Sequence, residues 1–86
     1  MSNPAFAPVF SVEAAEFLLQ FSKRRQRRLI SLARQLANHP HVRSDYTLAD
    51  ESGRPIEYLA VDEYIFAYWL DHRSSELRIV DIEDAS

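Results

Sequence analysis

The first apolar pattern of the chain is that of a helix. Residues at i, i+3, i+4 and i+7 share one helical face, namely Ala14, Phe17, Leu18 and Phe21. Ser11 precedes them at the position of an N-cap, and Glu13 places a carboxylate in the first turn, where the helix dipole favours it. The pattern predicts a helix from residue 11 to about residue 21. A short strand is predicted over residues 5–10 before it. Because Pro8 has no backbone N–H to donate, that strand is expected at a sheet edge.

The same spacing repeats in a second helix. Ser22 is its predicted N-cap, and Asn38, His39 and Pro40 end it. Its apolar face consists of Leu29, Leu32, Ala33 and Leu36. Because the joint between the two segments is very short, they are expected to form a helical hairpin.

After residue 45 the period changes to the two-residue alternation of strands. Strands are predicted over residues 46–48, 56–61, 64–70 and 76–82, joined by polar turns, with the apolar third segment at the centre of the sheet. The sequence predicts one domain over residues 1–86, of the α+β class, with the helical hairpin packed on one face of an antiparallel sheet, in the order β-α-α-β-β-β(-β). The residues expected to be buried together are Leu18, Phe21, Leu29, Leu32, Leu36, Phe66 and Ile79.

Composition narrows the class of protein. The chain has 86 residues, 47% of them hydrophobic, which is enough for one small packed core. It has no cysteine, so a disulfide framework, a zinc–cysteine site and a thiol nucleophile are excluded. The longest apolar run, residues 65–70, is too short to span a membrane, and residues 1–4 lack the features of a signal peptide. We expect a soluble cytoplasmic protein that does not bind membranes.

Charge divides the chain into a basic and an acidic half. Residues 1–43 hold seven Lys and Arg against two carboxylates, whereas residues 44–86 hold three Arg against eleven carboxylates. The helical face opposite the leucines carries Lys23, Arg24, Arg27, Arg28 and Arg34. Cations in the first turn of a helix oppose its dipole, at a cost of about 0.3–1 kcal/mol each, so these residues are candidates for binding. The candidate partners are ribosomal RNA, an acidic protein and the chain's own carboxylates.

Three segments resemble the RelE/ParE superfamily of toxin–antitoxin toxins. They are FSVEAAEFL at 10–18, LANHP at 36–40 and LAVDEYIFAY at 59–68, which follow the family's order and spacing. The resemblance implies a toxin-like protein of the plasmid-stabilisation type, neutralised by a cognate antitoxin and acting on ribosome-associated mRNA. Such a protein would be an endoribonuclease that uses no metal and no cofactor. A homodimer is left open by the sequence.

The chain departs from the family where basic residues are expected on the sheet. Ile65 stands at the position of the family's hairpin arginine, Tyr58 and Ala60 occupy the strand before it, and the last strand ends in acidic residues instead of a His-Arg pair. The alternative is therefore a non-catalytic interaction module of the same fold. It would bind a target protein such as gyrase, as ParE-type members do, or be a toxin homologue that has lost its activity.

RNA cleavage through the 2′-hydroxyl needs a base, an acid and cations for the charge on the phosphate. The catalytic candidates are His72, Arg73 and Tyr68, with Asp71 placed to orient His72. The other interpretation is that residues 71–75 form an ordinary solvated hairpin loop. His39 and His41 lack a third ligand nearby, so no metal site is predicted.

Overall fold

The computed structural model describes residues 5–85. The predicted absence of a signal peptide concerns residues 1–4, which lie outside the described residues, as does residue 86. The elements, in chain order, are β1 Ala7–Phe10, α1 Val12–Leu19, α2 Lys23–Asn38, β2 Tyr46–Ala49, β3 Pro55–Val61, β4 Tyr64–Asp71 and β5 Glu76–Asp84. The predicted α+β class and element order are confirmed, and no helix within residues 5–85 is long and apolar enough to cross a membrane.

Both predicted helix caps are present. The Ser11 side chain accepts a hydrogen bond from the Ala14 backbone N–H at 3.1 Å, and that of Ser22 accepts one from Arg25 at 3.3 Å. Helix α1 ends at Leu19, two residues before the prediction. The N–H of Phe21 instead bonds the carbonyl of Leu18 in a tighter turn. This turn frees Ser22 to cap the next helix.

The five strands form one sheet in the order β1-β5-β4-β3-β2, with β4 in the centre as predicted. Three neighbouring pairs are antiparallel, but β1 pairs with β5 in parallel, which corrects the prediction of an antiparallel sheet. Parallel neighbours need a long crossover connection. The two helices and the strands between β1 and β5 supply it, and the resulting contact between chain ends carries no local sequence signal.

The helices cover one face of the sheet, and the core lies between the two layers. Six of the seven predicted core residues are buried there, namely Leu18, Leu29, Leu32, Leu36, Phe66 and Ile79, and Phe21 is half-buried against them. Side chains alternate across a strand. Because Phe66 faces the helices, Ile65 and Ala67 face the other side of the sheet, which we call the open face.

Candidate functional site

A cleft of ≈ 460 Å³ opens at the end of the sheet where β3 begins and β4 ends. We call it the end cleft. Two strands and two loops form its wall, because the loop after α2 and the turn after β4 meet there. The side chains that bear on its chemistry are His41, Arg54, Glu57, Tyr68, Trp69 and His72.

Two histidines from distant parts of the chain stack at this cleft. The rings of His41 and His72 are 6.2 Å apart between centroids and nearly parallel, with an interplanar angle of 11°. Phe6 packs edge-on against both, at 5.5 Å from His72 and 6.2 Å from His41. The loop after α2, the turn after β4 and the chain before β1 are thereby joined through three rings.

Asp71 does not orient His72, contrary to the sequence-based interpretation. Its carboxylate accepts hydrogen bonds from the backbone N–H groups of Arg73 and Ser74, at 3.2 and 3.3 Å, and from the Arg78 side chain at 3.3 Å. Partial desolvation acts to raise the pKa of Asp71, but these hydrogen bonds outweigh it and the pKa lies below its usual value. Asp71 shapes the turn, and Phe6 and His41 hold the His72 ring.

Tyr68 lies in the core with 1% of its surface exposed, and it also lines the end cleft. Burial is the main cause that raises the pKa of Tyr68 above its usual 10.0, and the negative charges of Glu57 and Asp45 add to it. The phenol is therefore protonated at neutral pH. It can donate a hydrogen bond in the cleft, but it is poorly suited to act as a base.

The cation on the cleft wall is Arg54 and not Arg73. Arg73 is exposed in the turn, whereas the guanidinium of Arg54 lies 3.9 Å from the centre of the Trp69 ring. Among residues 5–85, none of the ion pairs involves the Arg54 side chain. Sequence reasoning missed Arg54 and considered His41 only as a metal ligand, because each lies in a loop whose position in the fold has no local signal.

Glu57 is the carboxylate of the cleft wall. Its Oε1 atom accepts hydrogen bonds from the hydroxyls of Ser44 at 2.6 Å and Thr47 at 3.2 Å. This carboxylate is therefore held toward β2 and the loop before it. Within residues 5–85, no group of three or more His, Asp and Glu side chains is placed to hold a metal ion.

The cations of α2 divide into two groups. Arg28 pairs with Asp62, and Arg25 pairs with Glu63 at 3.4 Å while lying 4.7 Å from the Phe21 ring centre. The chain's own carboxylates thus neutralise these two arginines. The remaining cations are exposed and make no ion pair among the described residues, and we call them the basic face: Lys23, Arg24, Arg27 and Arg34.

The open face of the sheet is poor in free cations. Tyr58, Ala60 and Ile65, the positions at which the sequence departs from the family, all lie on it by strand register. The Arg78 side chain is held by Asp71 at 3.3 Å and by Glu76 at 2.7 Å. By the same register Asp81 and Glu83 of β5 lie on this face, opposite Ala67 and Ile65, so the surface is aromatic, apolar and acidic instead of basic.

Three solved toxin–antitoxin structures contain a chain with this architecture. The RelBE2 complex from Mycobacterium tuberculosis matches with a TM-score of 0.75 and 17% identity, over 94% of this chain and 99% of that chain. The archaeal RelE–RelB complex from Pyrococcus horikoshii matches with a TM-score of 0.69 and 13% identity, over 96% and 98% of the two chains. The fold is that of the RelE toxins.

A third RelE-like match is the intact RelBE complex from Escherichia coli, with a TM-score of 0.69 and 10% identity, over 95% of this chain and 99% of that chain. Neither a protein-family model nor a curated protein sequence matches the chain. The likeness to RelE toxins therefore lies in the backbone, and the side chains of the site have to be assessed on their own chemistry.

Proposed function

We propose that this chain is the toxin-like component of a toxin–antitoxin pair and that a cognate antitoxin protein neutralises it in the cytoplasm. The observation that carries the proposal is the end-to-end match to chains solved as toxin–antitoxin complexes, over 94–96% of this chain.

The basic face of α2 is the proposed surface for an anionic partner. Four exposed cations lie on one side of the helix, and no carboxylate of the described chain pairs with them. Ribosomal RNA fits this surface through its phosphates, without sequence preference and with strong dependence on salt. Arg28, which the sequence pattern places in this set, contributes less because Asp62 already pairs with it.

Ribosome-associated mRNA is the proposed substrate, and the end cleft is the proposed place of action. His72 and Tyr68 both line the cleft, the first exposed and the second with a protonated phenol. Arg73 extends from the neighbouring turn toward solvent, where a phosphate of a longer RNA can reach it. In this arrangement, His72 exchanges protons and the tyrosine donates a hydrogen bond.

One observation favours the non-catalytic alternative, an interaction module that binds a target protein such as gyrase. The open face carries a stacked pair of aromatic rings, Tyr46 and Tyr58, at 4.7 Å between centroids, and Leu48 is 55% exposed beside it. Aromatic and aliphatic side chains at an open sheet face are typical of protein interfaces. A protein target would occupy this face without any chemical step.

The partner proposal is tested by co-expression with the product of the neighbouring reading frame. The tagged chain should co-elute with that product as a stable complex through affinity and size-exclusion steps. A Leu29→Ala variant with a disrupted core is the control for specific binding. A folded wild-type chain that elutes alone at micromolar concentration contradicts the proposal of a cognate antitoxin encoded beside it.

A further inference from the structure

We propose that His41 and His72 form an acid–base pair that cleaves an RNA phosphodiester in the end cleft, without help from the ribosome. The inference rests on the proposed action on RNA and adds a second histidine, a place in the fold and a reaction. It concerns the cleft at the end of β4, which Trp69 and Arg54 border from the open face.

The geometry of the two rings carries the argument. His41 and His72 present parallel imidazoles 6.2 Å apart, and both line the end cleft. Both rings are exposed, and Phe6 packs edge-on against each, so they share one packing partner. Proton transfer requires a group within about 3 Å of the reacting oxygen. Two side-by-side rings at this spacing can each approach one oxygen of the same phosphate group.

Histidine can serve as base and acid because it exchanges its proton near neutral pH. In the proposed step, a neutral imidazole takes the proton of the ribose 2′-hydroxyl while that oxygen attacks phosphorus. The bond from phosphorus to the 5′-oxygen breaks, and the other ring, as imidazolium, gives its proton to the leaving oxygen. The products are a 2′,3′-cyclic phosphate and a free 5′-hydroxyl. No redox step or co-reactant is needed, and the proton states of the rings are exchanged at the end.

The charge that accumulates on the phosphate also has donors nearby. The Arg54 side chain makes no ion pair among the described residues and lies over the Trp69 ring at the cleft wall, although the nearby Asp50 carboxylate accepts a hydrogen bond from the Arg54 backbone N–H at 2.9 Å. The protonated phenol of Tyr68 adds a neutral donor. Donors fixed before the reaction stabilise developing charge without reorganising. Glu57 opposes an anion in the cleft, although Ser44 and Thr47 bond one of its oxygens.

The test uses purified full-length chain and the dinucleotide UpA in the absence of ribosomes. The readout is the appearance of uridine 2′,3′-cyclic phosphate and adenosine. We expect His41→Ala and His72→Ala each to lower the rate by about 10²–10⁴-fold, the range for one proton-transfer group. The double variant should lose little more than either single variant, because the two rings act as a unit.

Three controls isolate the chemistry. His39→Ala removes the third histidine, which lies outside the end cleft, and should leave the rate unchanged. A substrate with deoxyuridine in place of uridine lacks the attacking hydroxyl and should not be cleaved. Glu57→Gln should raise the affinity for the dinucleotide, because it removes the negative charge of the cleft wall.

Each outcome decides the inference. Cleavage that survives in the double variant, or that occurs on the deoxy substrate, overturns the histidine pair. Absence of cleavage by folded wild type also overturns it. The toxin proposal is judged separately. Growth arrest that persists in His41→Ala and His72→Ala leaves a toxin without this chemistry, whereas absence of arrest by wild type removes the toxin role itself.

Discussion

Arg25 of helix α2 pairs with Glu63 of the turn between β3 and β4, with 3.4 Å between Nη2 and Oε1. This ion pair joins the basic half of the sequence to the acidic half. Arg28 does the same one turn later, through Asp62. The chain's own carboxylates therefore neutralise only some of the α2 cations. The cations of the basic face stay available to a partner.

Removing the basic face should weaken binding of a polyanion. The variant Lys23→Gln/Arg24→Gln/Arg27→Gln removes three unpaired charges, so the logarithmic salt slope for RNA binding should fall by up to about 0.7 for each phosphate that the protein no longer neutralises. The matched control is Arg25→Gln/Arg28→Gln, which removes exposed ion pairs worth about 0–1 kcal/mol each to stability. An equal decrease of RNA binding in both variants contradicts the division into paired and free cations.

A core truncation should separate buried from exposed leucines of the helical hairpin. Leu29 is fully buried, and Leu29→Ala should lower the free energy of unfolding by about 2–5 kcal/mol. Leu19 is 73% exposed, and Leu19→Ala should change it by less than about 0.5 kcal/mol. Urea denaturation followed by circular dichroism measures both. A large decrease for Leu19→Ala would mean that its side chain is covered in solution.

Ser11 should matter more to stability than Ser22, although both cap helices. The Ser11 hydroxyl accepts from Ala14 and also donates to the Val80 carbonyl at 2.8 Å, which joins the start of α1 to β5. We expect Ser11→Ala to cost about 2 kcal/mol, for a cap and a hydrogen bond together, and Ser22→Ala about 0.5–1 kcal/mol. Chemical denaturation of the two variants side by side tests the order, and a reversed order contradicts the second role of Ser11.

Tyr68 should make the fold sensitive to alkali. Burial raises its pKa in the folded state above the usual 10.0, so the unfolded chain loses the phenolic proton first. Its contribution to stability is complete below about pH 10 and is lost as the pH rises toward the folded-state value. Tyr68→Phe should therefore lose less stability between pH 9 and pH 11 than wild type does. Parallel pH profiles of the two proteins would contradict this role of Tyr68.

The local parts of the fold could be predicted from sequence, and the contacts between distant segments could not. Helix α2 is found where Ser22 and the leucine spacing predict it, because its N-cap and its apolar face both lie within one continuous segment of sequence. The parallel pairing of β1 with β5 and the bond from Ser11 to Val80 join residues 69 positions apart, for which no local pattern exists.

The absence of a local pattern for contacts between distant segments also limits the prediction of the site. Residue type alone singles out His72, whereas its neighbour His41 lies in the loop after α2 and is considered from the sequence only as a metal ligand. Residue type also singles out the phenol of Tyr68 for catalysis, and the structure places most of it in the core. Side chains at a cleft formed by several loops become neighbours only when the whole sheet is assembled.

The most direct test of the toxin proposal is growth of a bacterial host that expresses the chain alone or with the product of the neighbouring reading frame. Soluble wild type is predicted to slow growth, and the co-expressed partner to restore it, with Leu29→Ala as the unstable control. Normal growth at high soluble expression of wild type would contradict a toxin and leave the interaction module.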